Sequence, residues 1–276
     1  MGPRPAALKR RVETAIARAA AGESRLAPQA LALEGLSSAA ERHLLNNLCA
    51  PRGVNYLEVG TFKGATLVAA SYGNRGRFTA VDNFSEFSHL GGPRETFEEV
   101  RAEFERQCRF TFHEADCWSP ALRRRLPRGV NVYFYDGRHR YEDQYRAFTH
   151  FDPVFADTFI AVVDDWNWEN VRRATRHAFR DLGYRVLHER ELRTRRWLRD
   201  LWWNGLLVAV VRKAAAPRAV KAAPAGRPRG AAAARLRNTR PAAPASARGR
   251  KRRTAAPGRS RSDGPNRGAR PSARRR

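Results

Sequence analysis

The chain has 276 residues and a net charge of +26, from 53 Lys and Arg residues against 27 Asp and Glu residues. No stretch approaches the ~18 apolar residues that a membrane span needs, so we expect no membrane-spanning segment. Cys49, Cys108 and Cys117 are too few and too widely spaced for a disulfide framework or a CxxC metal site, which favours a reducing compartment. We therefore expect a cytoplasmic protein, or a nuclear one if the host has a nucleus.

The first part of the chain is predicted to be helical. Residues 1–37 are interpreted as an N-terminal helical extension, and residues 38–213 as the main domain. Ser38 and Glu41 have the spacing of a capping box ahead of "RHLLNNLCA", which indicates the start of a helix before the first strand.

An alternation of strand and helix patterns follows. The strand patterns are "VNYLEV", "FTAVD", "FTFHEAD", "VNVYFYDG" and "TFIAVVDD", and helical stretches such as "ETFEEVRAEFERQ" separate them. Buried strands that alternate with helices are typical of a parallel sheet covered on both faces. After Gly183, "YRVLHE" and "LLVAVV" lack a clear crossover helix, which favours a terminal antiparallel strand. The sequence therefore predicts an α/β fold with a doubly wound, mostly parallel sheet.

The end of the chain, residues 214–276, is predicted to be a disordered basic tail. From Lys213 onward the chain has 20 of the 53 basic residues and one acid, Asp263, so this part carries +19 of the net charge. It has almost no large apolar side chains with which to offset chain entropy. Such a segment can bind nucleic acid without reading its sequence. Alternatively, its composition reflects coding bias and has no selected partner.

Acidic residues stand at the ends of the five predicted parallel strands. In an open α/β sheet, ligands bind outside the carboxyl ends of the strands, where the strand order reverses. One acid there could cap a helix, but a set of them indicates a binding site. The acids are Glu58, Asp82, Asp116, Asp136, Asp164 and Asp165.

The first of these acids precedes a glycine turn. Glu58 ends a buried strand, and a buried carboxylate is costly unless something hydrogen-bonds to it or carries positive charge, so a ligand is expected there. Gly60 and Gly64 would let the backbone turn tightly and approach that ligand. Thr61 and Thr66 could contact the ligand or only cap and pack.

The order and spacing of these motifs resemble the class I S-adenosylmethionine-dependent methyltransferases over about residues 38–213. The matching stretches are "EVGTFKGAT", Asp82, Asp116, "YFYDGRHRYEDQ" and "VVDDWNW". The most similar subgroup has Asp-Gly-x-His-x-Tyr-Glu after the fourth strand. The resemblance implies a Rossmann-like methyltransferase fold and S-adenosylmethionine as cofactor.

The resemblance also implies roles for individual residues. Glu58 would lie near the cationic methionine end of the cofactor. Asp82, beside Asn83, would hold the ribose hydroxyls, although Asp82 could also only cap the following loop. Asp116 and Cys117 would border the adenine. The implied cofactor-binding set is Glu58, Gly60, Thr61, Gly64, Thr66, Asp82, Asn83, Asp116, Cys117 and Asp136.

Three acids after the fourth and fifth strands could hold a metal ion. Asp136, Asp164 and Asp165 offer the oxygen ligands that Mg²⁺ prefers, and metal-dependent catechol and macrolide-sugar O-methyltransferases resemble this arrangement. Asp165 could instead cap the next helix. His139 could take a proton from an attacking hydroxyl or only support its neighbours, so His139 and Asp136 are the catalytic candidates.

These patterns predict an enzyme that methylates a hydroxyl of a small molecule or sugar with S-adenosylmethionine, either with or without help from Mg²⁺. A nucleic-acid methyltransferase tethered by the tail is one alternative. However, "YDGRHRY" stands where base N-methyltransferases have Asn/Asp-Pro-Pro-Tyr/Phe. A non-catalytic nucleic-acid-binding protein is another alternative. The patterns give no indication of the oligomeric state.

Overall fold

The structure is a computed structural model that describes residues 4–194 and 201–214. Except for residue 214, the predicted disordered tail lies outside the described residues. The strands are β1 (Val54–Val59), β2 (Gly76–Asp82), β3 (Thr111–Glu114), β4 (Val130–Tyr135), β5 (Phe155–Val163), β6 (Arg185–Leu192) and β7 (Leu206–Arg212). The α-helices are α1 (Pro5–Ala20), α2 (Pro28–Leu31), α3 (Ala39–Leu48), α4 (Ala65–Ser71), α5 (Pro93–Glu103), α6 (Pro120–Arg125), α7 (Tyr141–Thr149) and α8 (Glu169–Asp181).

The strands form one seven-stranded sheet in the order β3-β2-β1-β4-β5-β7-β6. Strands β1 to β5 are parallel, whereas β7 runs antiparallel to both β5 and β6. The predicted doubly wound sheet, with a last strand that is antiparallel, is confirmed. The chain winds from β1 outward to β3 and then crosses to β4, so the strand order reverses between β1 and β4. That reversal opens a crevice at the carboxyl ends of these two strands.

The N-terminal helices pack against the sheet. Leu8 and Val12 of α1 share one apolar core with Val208 and Val210 of β7. Residues of the predicted extension therefore help to bury the main sheet. None of the described helices combines the length and the apolar character that a membrane crossing requires.

The start of α3 follows the predicted cap. The Ser38 hydroxyl accepts a hydrogen bond from the backbone N–H of Glu41 at 3.1 Å. This contact satisfies one of the unpaired N–H groups at the helix start. This contact therefore fixes the residue at which α3 begins, ahead of β1 in the chain.

Strand β1 places alternate side chains on opposite faces of the sheet. Tyr56 belongs to the apolar core that includes α1 and α3, whereas Leu57 and Val59 belong to the core on the other face. Glu58 is two residues after Tyr56 and shares its face. The alternation of β1 therefore directs the Glu58 side chain into a core and away from the strand end.

Candidate functional site

A cavity of about 470 Å³ opens at the carboxyl ends of the central strands. This volume falls within the ~300–1,000 Å³ range of small-molecule sites. The loops after β1, β2, β3, β4 and β5 all contribute to it. Predicted site residues that line the cavity are Gly60, Thr61, Thr66, Asp82, Asn83, Asp116, Cys117, Asp136, His139, Asp164 and Asp165.

Two predicted residues, Glu58 and Gly64, are not among the cavity-lining residues. Gly64 has φ +88°, and a Cβ there would lie 3.0 Å from the ring of Phe97 in α5. The predicted role of Gly64 in lining a cofactor stays a prediction, because this residue does not line the cavity and no cofactor is present. Glycine is required there because the left-handed turn packs closely on α5.

Gly60 lines the cavity, and close packing of its backbone also requires glycine at this position. Its φ is +88°, and a Cβ at this position would lie 2.0 Å from the carbonyl oxygen of Asp136. The loop after β1 thus presses directly against the end of β4. This contact sets the distance between the loop after β1 and the acids that follow β4 and β5.

Glu58 is fully buried beneath the loop after β1. Its carboxylate accepts hydrogen bonds from the hydroxyls of Tyr56 and Thr61, both at 2.5 Å, and of Thr66 at 2.9 Å. Burial raises the pKa of Glu58 to about 7, and the three hydroxyl donors oppose this shift. Three hydroxyls surround this carboxylate, and Thr61 and Thr66 line the cavity while Glu58 does not. The predicted place of Glu58 near the cationic end of a ligand therefore stays a prediction.

Asp82 connects the loops that follow β1 and β2. Its carboxylate accepts the backbone N–H groups of Thr61 at 2.7 Å, Phe62 at 2.8 Å and Phe84 at 2.8 Å. A carboxylate has about four acceptor positions, so one remains for a hydroxyl in the cavity. Both predicted roles of Asp82 are thus compatible, since it caps the following loop and also lines the cavity. Asn83 lines the cavity beside it.

Asp116 and Cys117 form the far wall of the cavity, after β3. Asp116 is exposed and accepts the backbone N–H of Trp118 at 3.0 Å, which fixes the turn. Burial raises the pKa of the Cys117 thiol to about 12, so this thiol stays protonated at neutral pH. A protonated thiol is a poor nucleophile, but it can pack against the edge of a flat ring.

The acids after β4 and β5 meet His139 on the opposite wall. The Nε2 atom of His139 lies 3.5 Å from Asp136 Oδ1 and 3.7 Å from Asp165 Oδ2. One ligand atom from each of Asp136, His139 and Asp164 lies within 4.8 Å of the other two, a spacing at which one metal ion could bind all three. The donor set therefore fits a divalent cation.

Asp165 does not belong to this compact group. Its Oδ1 accepts the side-chain N–H of Asn204 at 2.7 Å. This compact group shares Asp136 and Asp164 with the predicted metal set of Asp136, Asp164 and Asp165, which stays a prediction, and it contains His139 where that set has Asp165. Asp165 also makes no side-chain cap for α8, whose N-cap is Trp168.

Several acidic side chains lie close together at this wall. Asp164 is 4% exposed, and no described residue hydrogen-bonds to its Oδ1. Burial raises the pKa of Asp164 well above its usual range, and the charges of Asp136 and Asp165 raise it further. Burial also raises the pKa of Asp136, with a further contribution from Glu41. A bound cation would stabilise these carboxylates in their charged form.

His139 is oriented by groups behind it. Its Nδ1 lies 3.3 Å from Gln144 Oε1, and Gln144 in turn donates to the Thr175 hydroxyl at 3.0 Å. Gln144 and Thr175 are fully buried, so this relay is rigid. One tautomer donates Nε2–H to Asp136, whereas the other donates Nδ1–H to Gln144 and leaves Nε2 without a proton. That nitrogen can accept a proton from a bound hydroxyl or can ligate a metal.

Further cavity residues lie in the loops after β1 and β2, and the sequence analysis gave them no role. Phe62, Phe84 and Phe87 have positive φ angles of 47°, 54° and 57°, which is unusual for aromatic residues. Strained backbone of this kind often marks a functional site. Lys63 is 2% exposed and donates to Glu34 and to the carbonyl of Leu90 at 2.8 Å. In the sequence, Lys63 is marked only by its position between Gly60 and Gly64.

Comparison with protein families supports a methyltransferase domain. Residues 57–166 match the family model described as "Methyltransferase domain". The matched segment starts in β1 and ends just after the acids that follow β5. It therefore includes both walls of the cavity, and it supports the class I S-adenosylmethionine-dependent methyltransferase that the motifs resemble. A search of curated proteins found no match.

Solved structures show distant likeness. TrmN from Thermus thermophilus is 16% identical to this chain, with a TM-score of 0.44. The match covers 67% of this chain and 52% of TrmN, so this chain spans about half the length of TrmN. The O-methyltransferase from Bacillus cereus in complex with SAH is 10% identical, with a TM-score of 0.47 and coverage of 76% of this chain and 92% of that one. A methyltransferase from Geobacter sulfurreducens is 12% identical, with a TM-score of 0.43 and coverage of 61% and 76%, respectively. Such distant likeness indicates no substrate.

Proposed function

We propose that this protein is an S-adenosylmethionine-dependent methyltransferase that methylates a hydroxyl oxygen of a small molecule or sugar. The observation that carries the proposal is one cavity with two unlike walls. One wall holds the loop after β1, Asp82 and Asp116, and the other holds Asp136, His139 and Asp164. In this proposal the chain belongs to the subgroup with Asp-Gly-x-His-x-Tyr-Glu, because the motif "DGRHRYE" follows β4.

The first wall suits a nucleoside cofactor. Asp82 has an acceptor position left for a ribose hydroxyl, and Asp116 with Cys117 would border the adenine. The loop from Gly60 to Thr66 would lie along the methionine part. When bound, S-adenosylmethionine supplies an electrophilic methyl group on a sulfonium. The chain contributes position and charge, which account for most of the acceleration in an in-line transfer.

The second wall suits an acceptor hydroxyl. His139 Nε2 would remove the hydroxyl proton, and Gln144 keeps the imidazole in the tautomer that this step needs. Asp136 and Asp164 would hold a divalent cation such as Mg²⁺, which supplies Lewis-acid activation of the hydroxyl. A ring nitrogen that binds a metal ion cannot also accept a proton. We therefore assign the cation to the carboxylates of Asp136 and Asp164 and the proton to His139.

The test is a mass-spectrometric screen for transferred methyl groups with the full-length protein. Hydroxylated metabolites, sugars and RNA are offered separately, and calorimetry measures the binding of S-adenosylmethionine. We expect cofactor binding and methylation of a hydroxylated metabolite or sugar. Methylation of RNA alone would favour the tethered nucleic-acid methyltransferase. Absence of cofactor binding at high micromolar ligand would favour a non-catalytic protein.

Dependence on metal needs a separate measurement. Chelation with EDTA should abolish transfer, and Mg²⁺ should restore it, because the carboxylates of the second wall repel one another without a cation. Transfer that is insensitive to EDTA would leave His139 as the main activating group and would remove Mg²⁺ from the proposal.

Two further properties belong to the proposal. The charge of +19 from Lys213 onward favours nonspecific contact with nucleic acid. The free cysteines Cys49, Cys108 and Cys117 favour a reducing compartment such as the cytoplasm. Neither property is needed for methyl transfer.

A further inference from the structure

The edge of the sheet opposite the cavity carries a row of exposed arginines. Because β1 to β5 are parallel and β7 is antiparallel to both β5 and β6, this edge contains the amino ends of β1 to β6 and the carboxyl end of β7. We call it the amino edge. Every strand except β5 contributes at least one arginine there. The exposed arginines in these strand ends and the turns beside them are Arg52, Arg75, Arg77, Arg106, Arg109, Arg128, Arg185 and Arg212.

Hydrogen bonds between turns join the amino edge into one continuous surface. The backbone N–H of Gly73, before β2, donates to the carbonyl of Gln107, before β3, at 3.2 Å. The side-chain N–H of Asn55, in β1, donates to the carbonyl of Arg128, before β4, at 2.9 Å. The Arg128 guanidinium in turn donates to the carbonyl of Pro153, before β5. Since adjacent strands lie about 4.8 Å apart, the seven strands span on the order of 30 Å along this edge.

The arginines of the amino edge have no acidic partners in the described part of the chain. Exposed arginines elsewhere are paired, as Arg94 is with Glu114 and Arg190 is with Glu13 at 2.6 Å. By contrast, none of the eight amino-edge arginines forms an ion pair with a described residue. Their charges are therefore available to a partner.

Acids are few at the amino edge. Within the same strand ends and turns, the described residues include only Glu105 before β3 and Asp152 and Asp157 at the start of β5. The Asp152 carboxylate is already paired with the Nζ of Lys213 at 3.0 Å. The amino edge is therefore strongly basic, whereas the opposite edge holds the acids of the cavity walls.

The chemistry of the amino edge fits phosphate groups in a regular array. A guanidinium can bind phosphate through two parallel hydrogen bonds. Base stacking and insertion into a membrane both use exposed aromatic or apolar side chains. The large hydrophobic residues that are exposed in the described chain are Leu36, Phe87, Leu90 and Leu201, and none of them lies at this edge. A duplex needs no such side chains, and about nine phosphates of one of its strands extend over 30 Å.

We propose that the amino edge is a docking surface for double-stranded nucleic acid, which it holds by the phosphates without reading the sequence. This inference goes beyond methyl transfer and does not depend on it. The backbone N–H of Lys213 donates to the carbonyl of Asp157 at 2.9 Å, so the basic segment from Lys213 onward begins at the same edge. The cavity opens at the other edge, and the docked duplex is therefore a partner and not the methyl acceptor.

The test measures the binding of fluorescent RNA and DNA duplexes of one sequence to the full-length protein at several salt concentrations. The edge variant combines Arg52→Gln, Arg75→Gln and Arg77→Gln. Since these side chains are exposed and unpaired among the described residues, we expect an unchanged melting temperature. The affinity for both duplexes should fall at least about tenfold, and the slope of log K against log salt should fall by about 3, one for each lost phosphate contact.

A matched control separates the edge from net charge. Arg94→Gln, Arg140→Gln and Arg173→Gln together remove the same charge from exposed positions at the starts of α5, α7 and α8, which follow the carboxyl ends of strands. We expect this variant to change the slope by less than about 1. Equal losses in the two variants would overturn the inference, because net charge alone would then explain binding. If the edge variant does not fold, Arg75→Gln alone should lower the slope by about 1.

Three other results would overturn the inference. The first is an edge variant that binds both duplexes as tightly as the unaltered protein does. The second is an edge variant that loses affinity for vesicles containing phosphatidylserine but not for either duplex, which would make the edge a membrane-binding surface. The third is a weaker calorimetric affinity for S-adenosylhomocysteine in the presence of saturating duplex, which would place the duplex over the cavity.

The remaining outcomes identify the partner. Equal losses for RNA and DNA would support contact through phosphates alone, and a loss for the RNA duplex only would support an RNA partner whose 2′-hydroxyls are also contacted. Failure of the proposed function is distinguishable from all of these results. A protein that binds no S-adenosylhomocysteine but shows the expected difference between the edge variant and its control would keep the docking surface without the methyl transfer.

Discussion

The carboxylate of Asp82, at the end of β2, accepts the backbone N–H of Thr61 across 2.7 Å. Through this bond, β2 holds the loop that follows the neighbouring strand β1. The same carboxylate accepts the N–H of Phe62, so two consecutive amides converge on one oxygen. The shape of the cavity wall that the loop after β1 forms therefore depends on Asp82, for which the sequence predicted either contact with ribose or capping of the following loop.

Replacement of this acid should affect both stability and binding. Asp82→Ala removes the acceptor of three backbone N–H groups, and bonds to a charged acceptor contribute about 1.5–3 kcal/mol each. Since Asp82 is half-buried and water can replace part of the loss, we expect a cost of about 2 kcal/mol by urea denaturation. Affinity for S-adenosylmethionine should fall at least about tenfold, which is ~1.4 kcal/mol. Unchanged affinity in calorimetry would exclude Asp82 from the ribose role.

The two glycines of the loop after β1 should differ in sensitivity. Gly60→Ala would place a Cβ 2.0 Å from the backbone of Asp136, which cannot move without shifting β4. Gly64→Ala meets a ring edge of Phe97 at 3.0 Å, which can move. With the left-handed strain of about 1–2 kcal/mol common to both, we expect Gly60→Ala to cost more than about 3 kcal/mol and Gly64→Ala about 2 kcal/mol. Equal costs by urea denaturation would contradict this account.

Glu58 should make stability depend on pH. The folded protein keeps the Glu58 proton up to a pKa of about 7, whereas the ordinary value is 4.5. Between these values the folded state binds more protons than the unfolded state, so stability falls as the pH rises through this window. The loss should approach about 3 kcal/mol by pH 8. In Glu58→Gln the contribution of Glu58 should be lost while that of the buried acids Asp136 and Asp164 remains, and parallel pH curves for the two proteins would show that Glu58 ionises normally.

His139 should matter for the reaction rather than for cofactor binding. His139→Ala removes the proposed proton acceptor, and loss of general base catalysis typically lowers the rate by about 10²–10⁴-fold. We expect kcat to fall by this amount, with unchanged calorimetric affinity for S-adenosylmethionine. Gln144→Leu keeps the imidazole but removes its hydrogen-bond partner, so it should lower kcat by a smaller factor. Full activity in His139→Ala would assign proton removal to another group.

Truncation after Lys213 should separate the domain from the basic segment. Lys213 donates its backbone N–H to Asp157 at 2.9 Å and its Nζ to the Asp152 carbonyl at 2.7 Å, so the cut leaves the contacts at the end of β7 intact. We expect the melting temperature and the cofactor affinity to be preserved. The affinity for a random RNA should fall by at least about tenfold, with a smaller dependence on salt. Equal RNA binding before and after truncation would exclude the basic segment as the contact.

The predicted fold depended on information that is local in the chain. Strand patterns such as "VNYLEV" and "TFIAVVDD", separated by amphipathic stretches, were sufficient for a mostly parallel, doubly wound sheet. The acids after β2, β4 and β5 were also predictable as members of one site, because parallel strands bring their carboxyl ends to the same edge. Asp82, Asp136 and Asp164 do line one cavity.

The sequence alone therefore determined the order of elements, the edge of the sheet where the site lies and the residue types available there. Only the tertiary structure decided which atoms face the cavity. It turned Glu58 into the core, placed Gly64 against α5 and committed Asp165 to Asn204. The physical reason is that strand and helix periodicity depend on neighbouring residues, whereas the environment of a carboxylate depends on burial and on donors that are distant in the chain.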